Sequence, residues 1–325
     1  MNNLGEKLKK VDVAIIGAGP AGIGISAMLS ELGINKHVVV EKNKVGSSFD
    51  NWPKEMKLIT PSFTTNFYGH LDLNSIVSGT SPAFTLRREH PTGQEYAHYL
   101  RAVSDYLKLP IVEDTNIEEI THSNKSFKLK IGGTDLVESR FVIWAAGEFQ
   151  FPNLTPFKGA ELCTHNSHVN SWEDMEGDEF YIIGGFESGM DAAVNLSLLG
   201  KKVHVLDRQA PWNDRDTDPS LNLSPFTLER LRGQYQFGRI NLHENSEIKD
   251  IKEKSGKYEI KIKGKSKPFI SLTKPILATG FKNNLKIVNK FFDFDKEKSY
   301  PLLTENDEST ITPGLFLAGP QVRHE

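Results

Sequence analysis

Short apolar runs recur along the chain in a fixed order. Val11–Ile16 is mostly apolar without clean alternation, the pattern of a strand covered on both faces in a parallel sheet. A helical stretch follows to Leu32, with Gly33 at its C-terminal end, and His37–Val40 forms a second strand. The order then repeats. Phe180–Ile183 reads as a strand, a helix closes at Gly200, and Val203–Leu206 reads as the next strand. Each copy continues with two alternating segments, Ile117–Ile120 and Phe127–Ile131 in the first, Ile248–Ile251 and Tyr258–Ile262 in the second. Polar residues alternate with apolar ones, so the lysine-rich hairpin Lys249–Lys267 reads as a solvated strand face rather than a basic binding patch. A buried strand closes each copy, one running from Phe141 into Ala145-Ala146-Gly147, the other from Ile276 into Ala278-Thr279-Gly280. The segment Gly314–Pro320 adds a turn, a strand and a glycine, and is expected to rejoin the first sheet. Repetition on this scale signals two homologous βαβ-based units.

The turns carry the candidate chemistry. Gly17-Ala18-Gly19-Pro20-Ala21-Gly22 lies between strand and helix, where Gly-x-Gly-x-x-Gly reads as a dinucleotide turn. Gly17 permits the tight turn, Gly19 lets backbone approach a pyrophosphate, and Gly22 lets the helix pack close. The helix start offers free N–H groups to phosphate. Glu41 ends the next strand 24 residues after Gly17, the place of an acid that holds ribose hydroxyls. The second copy has Gly184-Gly185-Phe186-Glu187-Ser188-Gly189, and Asp207 follows Gly184 by 23 residues. Asp207 suits NAD, while Arg208 beside it suits the 2′-phosphate of NADP.

From first glycine to closing glycine the copies span 130 and 96 residues, and most of the excess lies between Lys42 and Pro110. That insert holds Trp52, Phe63, Phe67 and Tyr68. They either wall a ligand or form the insert's own core. Thr92-Gly93-Gln94-Glu95 opens a helix there with a capping-box pattern.

Composition narrows the reading. The 325 residues predict about two domains, and 38% hydrophobic with 25% charged residues suits a globular chain. A net charge of −3 gives no footprint for nucleic acid or an anionic membrane. No apolar run reaches a spanning length and the polar start lacks a signal core, so a cytoplasmic location is expected. The lone Cys163 excludes an intrachain disulfide or a Cys-x-x-Cys site, and no cluster has metal-ligand spacing.

Two Gly-rich units, an Ala-x-Gly strand end after each, and the closing Gly314-Leu315-Phe316-Leu317-Ala318-Gly319 resemble the flavoproteins with two dinucleotide-binding domains. Within that group, Glu41–Trp52, Ala145–Pro152 and Gly184–Ala192 are most similar to flavin-containing monooxygenases. The resemblance implies an α/β fold of two Rossmann-like domains, the NAD(P) domain inserted in the FAD domain. It divides the chain into an FAD domain, 1–155 with 285–325, and an NAD(P) domain, 156–284. FAD is implied on the first unit, with Gly17, Gly19, Pro20, Ala21 and Gly22 at its pyrophosphate and Glu41 and Lys42 at its ribose. Gly46, Ser47, Ser48, Phe49 and Trp52 would run along it, and Ile117 would meet the adenine. Ala145, Ala146, Gly147, Gly319, Pro320 and Gln321 would complete that site. NADP, or NAD, is implied on Gly184, Gly185, Glu187, Ser188, Gly189, Asp207, Arg208, Thr279 and Gly280.

This sequence departs from the pattern in four places. Phe186 replaces the second glycine of the second turn, and Pro320 stands where relatives have a ribityl-binding aspartate. The Baeyer–Villiger signature is split, with Phe157-x-Gly159 and His168-x-x-x-Trp172 separated by eight residues. The amide expected near the flavin is not placed within Leu58–Asn66, where Thr60, Ser62 and Asn66 are candidates. The expected activity is oxidation of NAD(P)H through FAD, with monooxygenation of a small molecule ahead of plain reduction or a non-catalytic nucleotide-binding role. No residue earns a catalytic label, His165 and His168 reading as structural hydrogen-bonders. A homodimer is left open. In this fold a helix aimed at the flavin follows the last strand, so a chain ending at Glu325 is expected to be trimmed.

Overall fold

The structure, a computed structural model, describes residues 9–63, 72–213, 222–295 and 300–322. The first unit contributes β1 (Lys9–Ile16), β2 (His37–Val40), β3 (Ile111–Val112), β4 (Glu119–Ser123), β5 (Ser126–Ile131) and β6 (Thr134–Trp144). They lie in the order β3-β2-β1-β6-β5-β4. The first four are parallel, and β6, β5 and β4 pair antiparallel. Helix α1 (Pro20–Glu31) links β1 to β2, while α2 (Ser47–Asp50), α3 (Pro82–Leu86) and α4 (Gly93–Tyr106) fill the long connection to β3. The apolar runs lack alternation because β1 feeds two cores. Val13 and Ile15 pack with Ile23, Tyr99 and Leu100 on one face, and Ala14 and Ile16 pack with Trp144, Val288 and Leu315 on the other. The capping box at α4 forms in full, Glu95 N–H donating to the Thr92 hydroxyl at 3.3 Å and Thr92 N–H to the Glu95 carboxylate at 2.8 Å.

The second unit contains β7 (Thr164–His165), β8 (Glu179–Ile183), β9 (Lys202–Leu206) and β10 (Ile240–His243), with α5 (Glu187–Leu198) and α6 (Pro225–Tyr235). Its hairpin strands are β11 (Ile248–Lys254), β12 (Lys257–Ile262) and β13 (Phe269–Ser271), and β14 (Ile276–Leu277) follows. The main sheet runs β10-β9-β8-β14-β7, all parallel. β15 (Leu315–Leu317) then pairs parallel with β6, so the second unit is inserted within the first.

The two hairpins differ in a way the repeat does not anticipate. In the first unit one 11-residue strand, β6, serves both as a hairpin arm and as the buried parallel strand. In the second, the hairpin is a separate three-stranded sheet and β14 is only two residues long. Pro275 separates β13 from β14. It has no N–H for a ladder and restricts the residue before it, so the strand is interrupted there. The far edge of β6 is forked. Residues 134–139 pair with β5, while 142–144 pair with β15.

The two connections between the units lie side by side. Asn153 N–H donates to the Gly280 carbonyl at 2.9 Å, and Lys282 N–H to the Phe151 carbonyl at 2.7 Å. The insert also reaches the second unit, where Glu55 accepts from Trp172 N–H at 3.0 Å and His90 stacks on Phe226 at 3.7 Å. No helix among the described residues is long and apolar enough to cross a membrane.

Candidate cofactor and active site

Two turns with the same covalent plan fold to the same geometry. Gly17 and Gly184 take φ of +106° and +103°, values that L side chains rarely adopt. A Cβ on Gly17 would lie 2.5 Å from the Ala145 carbonyl oxygen, and one on Gly184 2.3 Å from that of Ala278. The last glycine of each turn is closer still, with Gly22 and Gly189 placing a hypothetical Cβ 1.9 Å from the oxygens of Gly17 and Gly184. Gly22 and Gly189 therefore serve helix–turn packing. Each turn sits between the carboxyl ends of two parallel strands, where ligands of open α/β sheets bind.

The acids repeat as well. Ala18 N–H donates to Glu41 at 2.7 Å, and Gly185 N–H to Asp207 at 2.8 Å. Glu41 is only 6% exposed and also accepts from Asn43 N–H at 2.8 Å, leaving acceptor capacity on both oxygens. Asp207 takes two further backbone donors, Gln209 N–H at 2.7 Å and Ala210 N–H at 2.9 Å. Less of its capacity is left for a ribose.

Over the first turn lie two adjoining cavities of about 410 and 90 Å³. Both touch Gly17, Glu41, Ala146 and Gln150. The larger takes Gly19, Pro20 and Ala21 from the turn, Gly46, Ser47, Ser48, Phe49 and Trp52 from the start of the insert, and Ala145, Gly147, Gly319 and Pro320 from the strand ends. The smaller takes Lys42 and Ile117. Gln321 lines neither cavity. It is buried and donates to the Gly147 carbonyl at 3.4 Å. Thr60 is also elsewhere, because the Asn74 amide holds the Thr60 carbonyl and the Ser62 hydroxyl at 2.9 and 2.8 Å. Neither residue lines the two cavities. Asn66, Phe67 and Tyr68 lie outside the described residues.

Sequence reading missed the cavity's roof. Phe149 and Phe281 meet at 5.2 Å between centroids, and both line the larger cavity. Phe281 comes from the second unit, immediately after Gly280. Position relative to the two Ala-x-Gly strand ends was the available signal. With Phe49 and Trp52, 4.9 Å apart, these rings make an aromatic wall.

The second turn opens on a cavity of about 430 Å³ that includes Gly184, Gly185, Asp207, Arg208 and Thr279. Arg208 is exposed there. Trp212 packs against Gly185, where a Cβ would lie 2.5 Å from its ring. Glu187, Ser188, Gly189 and Gly280 do not line this cavity. The Glu187 carboxylate instead accepts from Ser224 N–H and the Thr227 hydroxyl, joining the starts of α5 and α6.

Gly280 is held by His165. Its Nε2–H donates to the Gly280 carbonyl at 3.1 Å, so Nδ1 accepts from Ser167 N–H at 3.2 Å. Burial pushes the imidazole down to about 4, outweighing the Gly280 bond that favours the charged form. Native His165 is thus neutral where the unfolded side chain titrates normally. As pH falls from 6.5 toward 4 the unfolded state gains a proton that the native state does not, and stability is lost. His165→Gln is expected to remove about 1 kcal/mol of this acid sensitivity, allowing for solvent screening. Urea midpoints at pH 5 and 7.5 measure it; an equal pH dependence in both proteins contradicts the assignment.

A family profile described as pyridine nucleotide-disulphide oxidoreductase matches residues 14–319. The chain belongs to that family. Its cofactors are FAD and NAD(P). Among curated relatives, bacilliredoxin reductase Bdr of Bacillus subtilis is 23% identical over 308 residues, covering 94% of this chain and 88% of the relative. The fold matches bacillithiol disulfide reductase Bdr from Staphylococcus aureus with a TM-score of 0.77 at 20% identity, covering 96% and 90% of the two chains. It matches a flavin-containing monooxygenase from Stenotrophomonas maltophilia at 0.72 and 16%, covering 95% and 90%. The residues fit FAD at the first turn. A Cβ on Gly19 meets nothing within 4 Å, which leaves the space a pyrophosphate needs, and the buried Glu41 faces both cavities. They fit NAD(P) at the second, with Phe186 as the exception.

Proposed function

We propose that this protein is an FAD-dependent, NAD(P)H-oxidising enzyme of the flavin-containing monooxygenase type, acting on a small molecule in the aromatic cavity over the first turn. The observation that carries it is the aromatic cavity over the first turn, walled by Phe49, Trp52, Phe149 and Phe281 and lined by no cysteine. The chain's single cysteine, Cys163, packs into a core of the second unit with Tyr181, Ile251 and Ile260. The thiol is half-buried, and burial pushes it up to about 12, so it is not an ionised nucleophile near neutral pH. Disulphide exchange, the chemistry in the family's name, therefore has no cysteine of this chain to run through.

Held at the first turn, FAD would supply the redox chemistry, hydride acceptance from NAD(P)H and onward electron transfer. The chain's own residues position and shield. Glu41 and Ile117 border the smaller cavity and would hold the adenosine end, Gly17–Gly22 the pyrophosphate, and Phe49, Trp52, Phe149 and Phe281 would enclose the reactive end and exclude water. The overall stoichiometry is one NAD(P)H, one O₂ and one proton consumed per oxygenated product and water. Flavin-loaded enzyme mixed with NADPH, O₂ and a panel of amines, sulfides and ketones tests it. Oxygenated product matching NADPH consumed is the expected result. Hydrogen peroxide as the sole product across the panel overturns monooxygenation and leaves a flavin reductase.

A further inference from the structure

Phe186 takes the place of Gly19 in the second of two turns whose backbones match in φ and ψ at this position. Gly19 has φ −83° and ψ −174°, and Phe186 has φ −85° and ψ −165°. The side chain is therefore added to the cradle without changing its backbone. The space it enters is the space left open in the first turn, where a Cβ on Gly19 meets nothing within 4 Å. The ring lines the second cavity together with Gly184, Gly185 and Asp207 and is 40% exposed. It thus lies over the approach to the turn and is free on one side to rotate. Charge differs in the same sense. The first turn of α1 carries no acidic residue, whereas that of α5 carries Glu187, a negative charge near the positive end of the helix, with its carboxylate turned to Ser224 and Thr227.

We propose that Phe186 is a lid on the second cradle that limits how tightly the pyridine nucleotide is held. Its ring occupies the place of the pyrophosphate and swings aside to admit it. The apparent dissociation constant is then the intrinsic one divided by the fraction of protein with the ring open. The nucleotide behaves as an exchanging substrate, in contrast to the cofactor of the first turn. This rests on the second unit taking NAD(P)H.

Flavin-loaded wild type, Phe186→Gly and Phe186→Leu are titrated with NADP⁺ and NADPH by calorimetry, the flavin spectrum serving as the check on folding. Phe186→Gly is expected to bind about tenfold more tightly, and Phe186→Leu, which keeps bulk over the turn, to stay near wild type. If wild type binds and Phe186→Gly binds no more tightly, the lid is overturned while the nucleotide site stands. If neither binds, both fall.

Discussion

Gly22→Ala is expected to yield a colourless protein. The new methyl would sit 1.9 Å from the Gly17 carbonyl oxygen, a backbone atom with nowhere to go, because Gly17 N–H is itself bonded to the Val40 carbonyl at 2.9 Å. Either the helix start moves away from the sheet or the turn opens. Both displace the amides and the cavity floor built on them. The cost is about 3 kcal/mol or more, enough to lose flavin and lower the melting temperature by several degrees. Gly189→Ala meets the same 1.9 Å overlap with Gly184, so it isolates the second unit: the protein should remain yellow, with NADPH reduction of the flavin lost. Absorbance at the flavin band and stopped-flow reduction separate the two variants. A yellow Gly22→Ala with normal flavin content contradicts the placement of FAD.

Glu41→Ala should weaken FAD binding by about a hundredfold. The substitution removes a carboxylate that is 6% exposed and leaves Ala18 and Asn43 N–H groups without their acceptor. Charge-assisted bonds of this kind contribute about 1.5–3 kcal/mol each, and the ribose contacts proposed for Glu41 are lost with them. Asp207→Ala provides the contrast, since it strips Gly185, Gln209 and Ala210 of their acceptor in the second unit and should leave FAD affinity unchanged. Fluorescence titration of apoprotein with FAD measures both. Equal FAD affinity in wild type and Glu41→Ala removes Glu41 from the site.

Much of this architecture is legible in the sequence because it is local. A strand, a Gly-rich turn and a helix are consecutive, and the covalent spacing that brings Glu41 to Ala18 recurs in Asp207 and Gly185. The cavity roof is not local. Phe281 reaches the first unit's cavity from the second, by way of two connections that pair side by side, and no window of sequence contains both sides of that contact. Thr60 shows the opposite failure. It lies in a stretch of suitable position and residue type, yet it lines neither cavity, and its carbonyl is bonded by Asn74, 14 residues on. The differing hairpins are a third case. The proline that interrupts the second copy is plain in the sequence, but its absence from the first, which lets β6 run unbroken, is visible only once pairing partners are known.

The forked edge of β6 sets an order on synthesis. Strands β1 to β6 leave the ribosome early, but the upper edge of β6 has no partner until residues 315–317 emerge. All the strands of the inserted unit, β7 to β14, precede them, so that unit can collapse on its own contacts while the first still exposes an unfinished edge. The pairing of residues 142–144 with 315–317 joins segments far apart in sequence, the kind of contact whose loop closure slows folding. The flavin unit, first to be translated, is the last to be completed.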